Sequence, residues 1–294
     1  MNKSFRYKLN IFLFLLPALA LFVTILIAPI VMSLMYSLTK WNGFTTPEFI
    51  GFKNYVELFT SKSINISRAL KNAFLLALLS CCIQLPFALW LALRLARPIK
   101  GKTALLSIYF MPVLISTVVI GQLWLKIYNP DYGVLNVLLR AVGLEKWTQI
   151  WLGDKKYALG AAFVPILWQY VGYHMLLMYA GIKGVPKDLL EAASLDGCTE
   201  RQVNWHIIVP YIKPILRVSV IFAVTGSLKS FDLVYALMKD TTKAELPSTL
   251  MYKLLFLNNR YGLGSAIAVV LIVLCFAFAL LINLAFRDRG EKVA

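Results

Sequence analysis

What constrains this chain most is a set of long runs with no charged side chain: Leu9 to Thr39, Asn72 to Leu93, Thr103 to Leu125, Tyr157 to Ile182 and Tyr261 to Phe286. Each exceeds the roughly 20 residues with which an α-helix crosses a bilayer. A sixth stretch, Val218 to Met238, has the same character apart from Lys229 and Asp232. The expected fold is all-α, with six transmembrane helices at about 9–38, 72–93, 103–125, 157–182, 218–238 and 261–286. No repeat, low-complexity run or linker divides residues 1–294, so one membrane domain is expected. The first run is longer than a signal-peptide core, and no small-residue cleavage site follows Leu38, so it reads as a retained span. Pro17, Pro29, Pro86, Pro112 and Pro165 lie inside these runs, which suits helices supported by their neighbours.

Composition agrees. Only 15% of the residues are charged, against about 25% in a soluble domain. A net charge of +16 could suit nucleic acid, but the Lys and Arg residues fall in short clusters between the runs, as membrane topology requires. Six spans put both termini on one side. With the amino terminus inside, segments 1–8, 94–102, 183–217 and 287–294 hold 15 of the 30 Lys and Arg in 60 residues, against 14 in the longer outer segments. Lys3, Arg6 and Lys8, then Arg94, Arg97, Lys100 and Lys102, then Arg287, Arg289 and Lys292 mark the cytoplasmic side. Outside, Val134, Leu135, Val137, Leu138 and Ala141 form an amphipathic face after the Asn129-Pro130-Asp131 turn. Cys81, Cys82, Cys198 and Cys275 are too few and scattered for a disulfide framework.

Catalytic chemistry finds no foothold. His174 and His206 have no metal-ligand partners at suitable spacing and read as structural. Gly101-Lys102-Thr103 ends like a phosphate-binding loop, but Ala96 stands where the earlier glycine is needed, so no ATP site is expected. No Ser or Cys has the glycine-flanked elbow of a hydrolase nucleophile.

The inner loop 183–217 has punctuation of its own. Pro186 suits a first helical turn, Asp188 and Glu191 lie near the positive helix end, and Gly197 suits a left-handed terminator. A helix over about Pro186 to Asp196 follows. Thr199 and Gln202 fit a capping box for a second helix, and Pro210 and Pro214 mark the return. Leu189, Ala192, Ala193 and Leu195, flanked by Glu191 and Asp196, offer a surface for a partner groove or a cap over the bundle.

Glu191-Ala192-Ala193-Ser194-Leu195-Asp196-Gly197, followed by Ile207 and Pro210, resembles the EAA loop of binding-protein-dependent ABC importer permeases. Leu16-Pro17, Phe52-Lys53-Asn54-Tyr55, Tyr109-Phe110-Met111-Pro112 and Phe231-Asp232-Leu233-Val234-Tyr235 extend the resemblance to the sugar-transporter branch, similar to maltose and multiple-sugar permeases. Val209-Pro210 departs from the usual Leu-Pro, and Lys239-Asp240-Thr241-Thr242 from the usual Gly-Gly-Pro. The resemblance implies a type I importer in a bacterial inner membrane. A second homologous permease, a cytoplasmic ABC ATPase dimer and an external solute-binding protein would be its partners, with ATP and Mg on the ATPase and no cofactor or metal here. Glu191, Ala192, Ala193, Asp196 and Gly197 would couple to the ATPase.

A charge near mid-bilayer costs roughly 2.5–3.5 kcal/mol on insertion scales, so Lys229 and Asp232 need a reason. Three residues apart on one helix face, they read either as a neutralising pair or as cavity lining. Ser227 and Ser230 flank them, and Gln169, Tyr170 and Tyr173 on the fourth span supply amide, hydroxyl and stacking surfaces that suit sugars. These six, Gln169, Tyr170, Tyr173, Ser227, Ser230 and Asp232, are the expected solute pathway. The alternative is an ATP-independent secondary transporter with Lys229 and Asp232 as an ion relay; no inverted repeat supports it.

Overall fold

The computed structural model of the chain describes residues 3–238 and 244–287. Lys239-Asp240-Thr241-Thr242, Arg289 and Lys292, and the side chains of Lys3, Arg6 and Lys8, lie outside the described residues. Helices α1 (Lys3–Phe22) and α2 (Ala28–Ser37) form the first apolar stretch around a π-turn at Val23–Ile27. Strands β1 (Thr39–Lys40) and β2 (Glu48–Phe49) pair antiparallel and lead into α3 (Lys53–Thr60). Next come α4 (Ile66–Leu79) and α5 (Leu85–Leu95), joined through a π-turn at Ser80–Gln84. Then follow α6 (Lys102–Leu114), α7 (Thr117–Ile127), α8 (Val134–Ala141) and the unbroken α9 (Ala158–Lys183). The loop after α9 holds α10 (Lys187–Leu195), α11 (Glu200–Val203), a π-turn at Asn204–Ile208 and α12 (Val209–Tyr211). The chain continues through α13 (Lys213–Lys229), α14 (Asp232–Met238), α15 (Pro247–Tyr252) and α16 (Tyr261–Ala285). Among the described residues, five helical stretches are long and apolar enough to cross a membrane, and six if the bent α6–α7 pair is one span.

The π-turns have a cause in the sequence. The three named above end two residues before a proline, Ile27 before Pro29, Gln84 before Pro86 and Ile208 before Pro210, whereas a further π-turn at Lys253–Leu257, between α15 and α16, precedes none. A proline ring collides with the carbonyl four residues back and offers that carbonyl no N–H. Widening the preceding turn moves the carbonyl aside. In each case the residue before the proline donates five residues back: Ala28 to Val23, Leu85 to Ser80 and Val209 to Asn204. The helix thereby continues instead of ending.

Two expected spans are not single helices. The third turns by 99° between α6 and α7, because Ile115 and Ser116 are extended (ψ 138° and 132°). The fifth is broken between α13 and α14, where Ser230 is extended (ψ 127°) and Phe231 is non-helical. Lys229 and Asp232 therefore do not share one continuous helix face.

The chain divides into two compact units. One takes in the chain up to Asn65 together with Leu250–Ile272. Within it, Asn54 of the Phe52-Lys53-Asn54-Tyr55 motif donates through Nδ2 to the carbonyls of Ser37 and Thr39, both at 2.8 Å, and the Tyr55 hydroxyl donates to Ser37 Oγ at 2.8 Å. The motif thus fastens α3 to the end of the first span. The other unit takes in Ile66–Thr249 and the chain from Val273 onward, and α9 is its axis, packing against α5, α6, α13 and α14. Leu85, Ala88, Leu91, Ala92 and Leu95 of α5 meet Met175, Met178 and Ile182 of α9 in a buried core. The two alanines let the helix axes approach closely, which is how helices associate where lipid removes the hydrophobic drive.

Gly172 marks the tightest approach. A Cβ there would overlap the Tyr109 carbonyl of α6, so the Tyr109-Phe110-Met111-Pro112 motif packs backbone to backbone on α9. Gly172→Ala is expected to lower thermal stability of the detergent-solubilised protein by about 1–3 kcal/mol. Gly160→Ala, with nothing within 4 Å of the added carbon, should leave the melting temperature unchanged.

Candidate functional site

The break in the fifth stretch opens a cavity of about 450 Å³ against α9 and the α6–α7 bend. Gln169, Tyr170 and Tyr173 line it from α9, Ser227 and Lys229 from α13, and Asp232 from the first turn of α14, with Ser230 at the break itself. All six residues expected to form a solute pathway therefore surround one space.

Lys229 and Asp232 do not neutralise each other: among the described residues no ion pair within 4.0 Å joins them, which corrects the reading of a structural pair. The reason is the extended Ser230. Each charge instead sits at a helix end that suits it, Lys229 in the last turn of α13 and Asp232 in the first turn of α14. Unpaired carbonyls at a carboxyl end favour a cation, and free N–H groups at an amino end favour an anion. Both side chains are exposed and face the cavity, so neither bears the desolvation of mid-bilayer burial.

Several lining residues escaped the sequence reading: Ser80, Gln84, Thr117, His174, Thr225 and the aromatic Phe222. Gln84 and His174 did carry a signal, as polar groups inside charge-free runs. Gln84 Nε2 donates to the Leu167 carbonyl at 2.8 Å, locking the α4–α5 π-turn to α9. Ser227 Oγ donates to the Ala223 carbonyl at 2.7 Å, so at 3.3 Å it accepts from Ser80 Oγ. Gln169 is 2% exposed and, among the described residues, its Oε1 has no partner, as is true of Nδ1 of the buried His174. An unpartnered buried polar atom is costly unless something binds it. Tyr173 lies edge-on to His174 (5.4 Å between centroids) and near Phe222 (6.3 Å), leaving an aromatic wall beside these polar atoms.

A second group forms on α10 and α11. Gly197 is left-handed at φ +73°, Cys198 N donates to the Ala193 carbonyl at 3.0 Å and Gly197 N to that of Ser194 at 3.1 Å. This is a Schellman termination, and it fixes the turn that Gly197 was expected to make. Thr199 and Gln202 form the expected capping box. Pro186 sits at the N-cap with extended backbone, so the helix begins at Lys187 rather than at the proline. Arg97 pairs with Glu200, Lys183 Nζ donates to the Ala96 carbonyl at 2.8 Å and the Tyr211 hydroxyl to that of Gly184 at 3.1 Å. Outward lie Leu189, Glu191, Ala192, Asp196 and Leu195, the last 90% exposed. Ala193 departs from the expected outer surface: it lies one turn from Leu190 and is buried. His206 Nδ1 lies 3.1 Å from the Gln202 carbonyl.

Membrane-length helices beside a cavity of mixed polar and apolar lining, with a rigid helix–turn–helix holding apolar and acidic side chains outward, are the features of a multi-pass transport subunit. The chain belongs to the family described as "binding-protein-dependent transport system inner membrane component", which it matches over residues 84–289. It is thus an inner-membrane permease subunit of the ABC importer type, and members of this family lack an ATPase domain. A probable ABC transporter permease of Bacillus subtilis, YurN, is 37% identical over 97% of this chain and 98% of its own. The diacetylchitobiose uptake permease NgcF of Streptomyces coelicolor is 30% identical over 92% of this chain and 80% of its own. A chain in the crystal structure of a bacterial ABC transporter involved in import of the acidic polysaccharide alginate superposes with a TM-score of 0.84 at 27% identity, covering 99% of both chains.

Because separate helix ends stabilise them, Lys229 and Asp232 should act independently. In a cycle of Lys229→Met, Asp232→Asn and the double variant, the effects on transport are expected to add within about 0.5 kcal/mol. A double variant much milder than either single one would restore the ion pair.

Proposed function

We propose that this chain forms, as a single permease domain, the pathway for a sugar or oligosaccharide delivered by an external solute-binding protein. The observation that carries the reading is the cavity: Tyr173 and Phe222 supply faces for pyranose rings, while Lys229, Ser230 and Asp232 line it with hydrogen-bonding groups for hydroxyls, backed by Gln169, His174 and Ser227. The relatives' diacetylchitobiose and alginate substrates support it. The ion-relay alternative has little support beside membership of a binding-protein-dependent family. A second homologous permease completes the pathway, and a cytoplasmic ATPase dimer holds ATP and Mg. Closure of that dimer moves α10 and α11, biasing the pathway between inward-facing and outward-facing arrangements. Tyr173→Ala should cost about fivefold in ATP-dependent sugar uptake by the reconstituted complex, the worth of about 1 kcal/mol of stacking. Uptake of amino acids but no sugar by that complex would overturn the reading.

Coupling falls to Glu191, Ala192, Asp196 and Gly197 with Leu195, which present the outward face of the Schellman turn, while Ala193 is buried on the side of α10 whose Leu190 packs on the bundle core. Gly197→Val forces a β-branched residue into left-handed backbone, and Glu191→Ala removes a carboxylate able to make a charge-assisted contact. Both should reduce ATPase copurification and transport while the helices remain inserted. Undiminished copurification would leave the loop a cap.

The termini and the 183–217 loop lie in the cytoplasm on this reading. Cys198 is exposed. With Cys81, Cys82 and Cys275 replaced, a membrane-impermeant thiol reagent should label Cys198 in inverted vesicles and not in intact cells.

A further inference from the structure

We propose that α8 is an interfacial membrane anchor, its exposed apolar face seated in the lipid headgroup region at the surface where α7 ends and α9 begins. The proposal is independent of which solute is carried.

The helix is built inside out for water. Its polar side is turned in: Asn136, 2% exposed, donates through Nδ2 to the carbonyls of Pro130 (3.1 Å) and Gln149 (3.0 Å), and its Oδ1 accepts from Gln149 N (3.3 Å) and Trp151 Nε1 (2.8 Å). One turn on, Arg140 donates to the carbonyls of Asp131 (3.0 Å) and Pro130 (2.9 Å). These bonds hold α8 to both strands of its own loop. Val134, Val137, Leu138 and Ala141, spaced for a single helical arc, are left facing out. Val142, Leu144, Ile150 and Trp147, which follow in the same loop, are exposed apolar residues as well, Trp147 to 67%. No side-chain rotation can hide it, because the buried amide fixes which way the helix faces. A large exposed apolar patch marks a surface with a partner.

Lipid fits this patch by continuity and by charge. The loop joins the end of α7, the second arm of the bent α6–α7 stretch, to the start of α9, which is long and apolar enough to cross a membrane, so it adjoins the bilayer surface at which α9 enters. Tyr132 and Trp147 are exposed beside the apolar arc, the residue types that settle at headgroup depth. Lys146, Lys155 and Lys156 are exposed, and residues 126–156 carry five Lys and Arg against three Asp and Glu, which suits anionic headgroups. An anchored α8 sets the depth of the amino-terminal end of α9, the helix that carries Gln169 and Tyr173.

The test uses the full chain in anionic liposomes with its four native cysteines replaced. Nitroxide labels on single cysteines at Val137, Leu138 and Val142 are read by collision with oxygen, which partitions into lipid, and with a water-soluble nickel complex. The oxygen-to-nickel ratio should be several-fold above that of a label at Lys155, and unchanged by added solute-binding protein. As a check free of labels, Trp147→Phe should remove part of the tryptophan quenching caused by headgroup-proximal brominated lipid. Ratios equal to that at Lys155 would overturn the proposal. So would labels that lose nickel access only when binding protein is added, or that neither reagent reaches.

Discussion

Everything in this structure answers to one constraint: backbone N–H and C=O groups in hydrocarbon must be paired within the chain. The π-turns before Pro29 and Pro86 meet it by widening one turn so that the residue before each proline still donates, and the turn before Pro210 repeats the device in the inner loop. Irregular backbone at membrane depth is tolerated where it lines a polar space. The extended Ser230 is of that kind, since it lines the cavity itself, and the residues flanking the extended Ile115 and Ser116, Val113 and Thr117, line it as well.

The same break resolves the charges. A continuous fifth helix would have placed Lys229 and Asp232 on one face, within reach of mutual neutralisation. Interrupting it creates a carboxyl end for the lysine and an amino end for the aspartate, so both remain available to the cavity. On the proposed pathway reading, charges stabilised by separate helix ends are freer to bind and release a solute than charges held in a pair.

The α10–α11 loop follows a different economy. Its hydrogen bonds are local, through the Schellman turn and the capping box, and the Arg97–Glu200, Lys183–Ala96 and Tyr211–Gly184 contacts pin it to its own unit. On the proposed coupling reading, rigid backbone with outward Leu195 and Glu191 would transmit a push better than a flexible loop. The apolar patch of α8 is likewise held by polar bonds beneath it, Asn136 serving there as the capping box serves here.

From the sequence alone came the membrane-spanning stretches, the all-α class, the EAA-like loop with its Gly197 turn and Thr199 cap, and the six polar residues that surround the cavity. Those features are local or periodic: charge-free length, a glycine where left-handed backbone is needed, hydroxyl and amide at three-residue spacing. Tertiary structure decided the rest. Periodicity continues through Ser230 and Ser116, so nothing in it marks a break. Only packing of α14 on α7 and α9, and of α6 on α9 at Gly172, selects extended backbone there. For the same reason Ala193 turned inward, Gln84 and His174 joined the site, and Lys229 parted from Asp232. Which face of a helix meets protein depends on neighbours distant in sequence, and an apolar pattern in a membrane reads alike on its lipid side and its protein side.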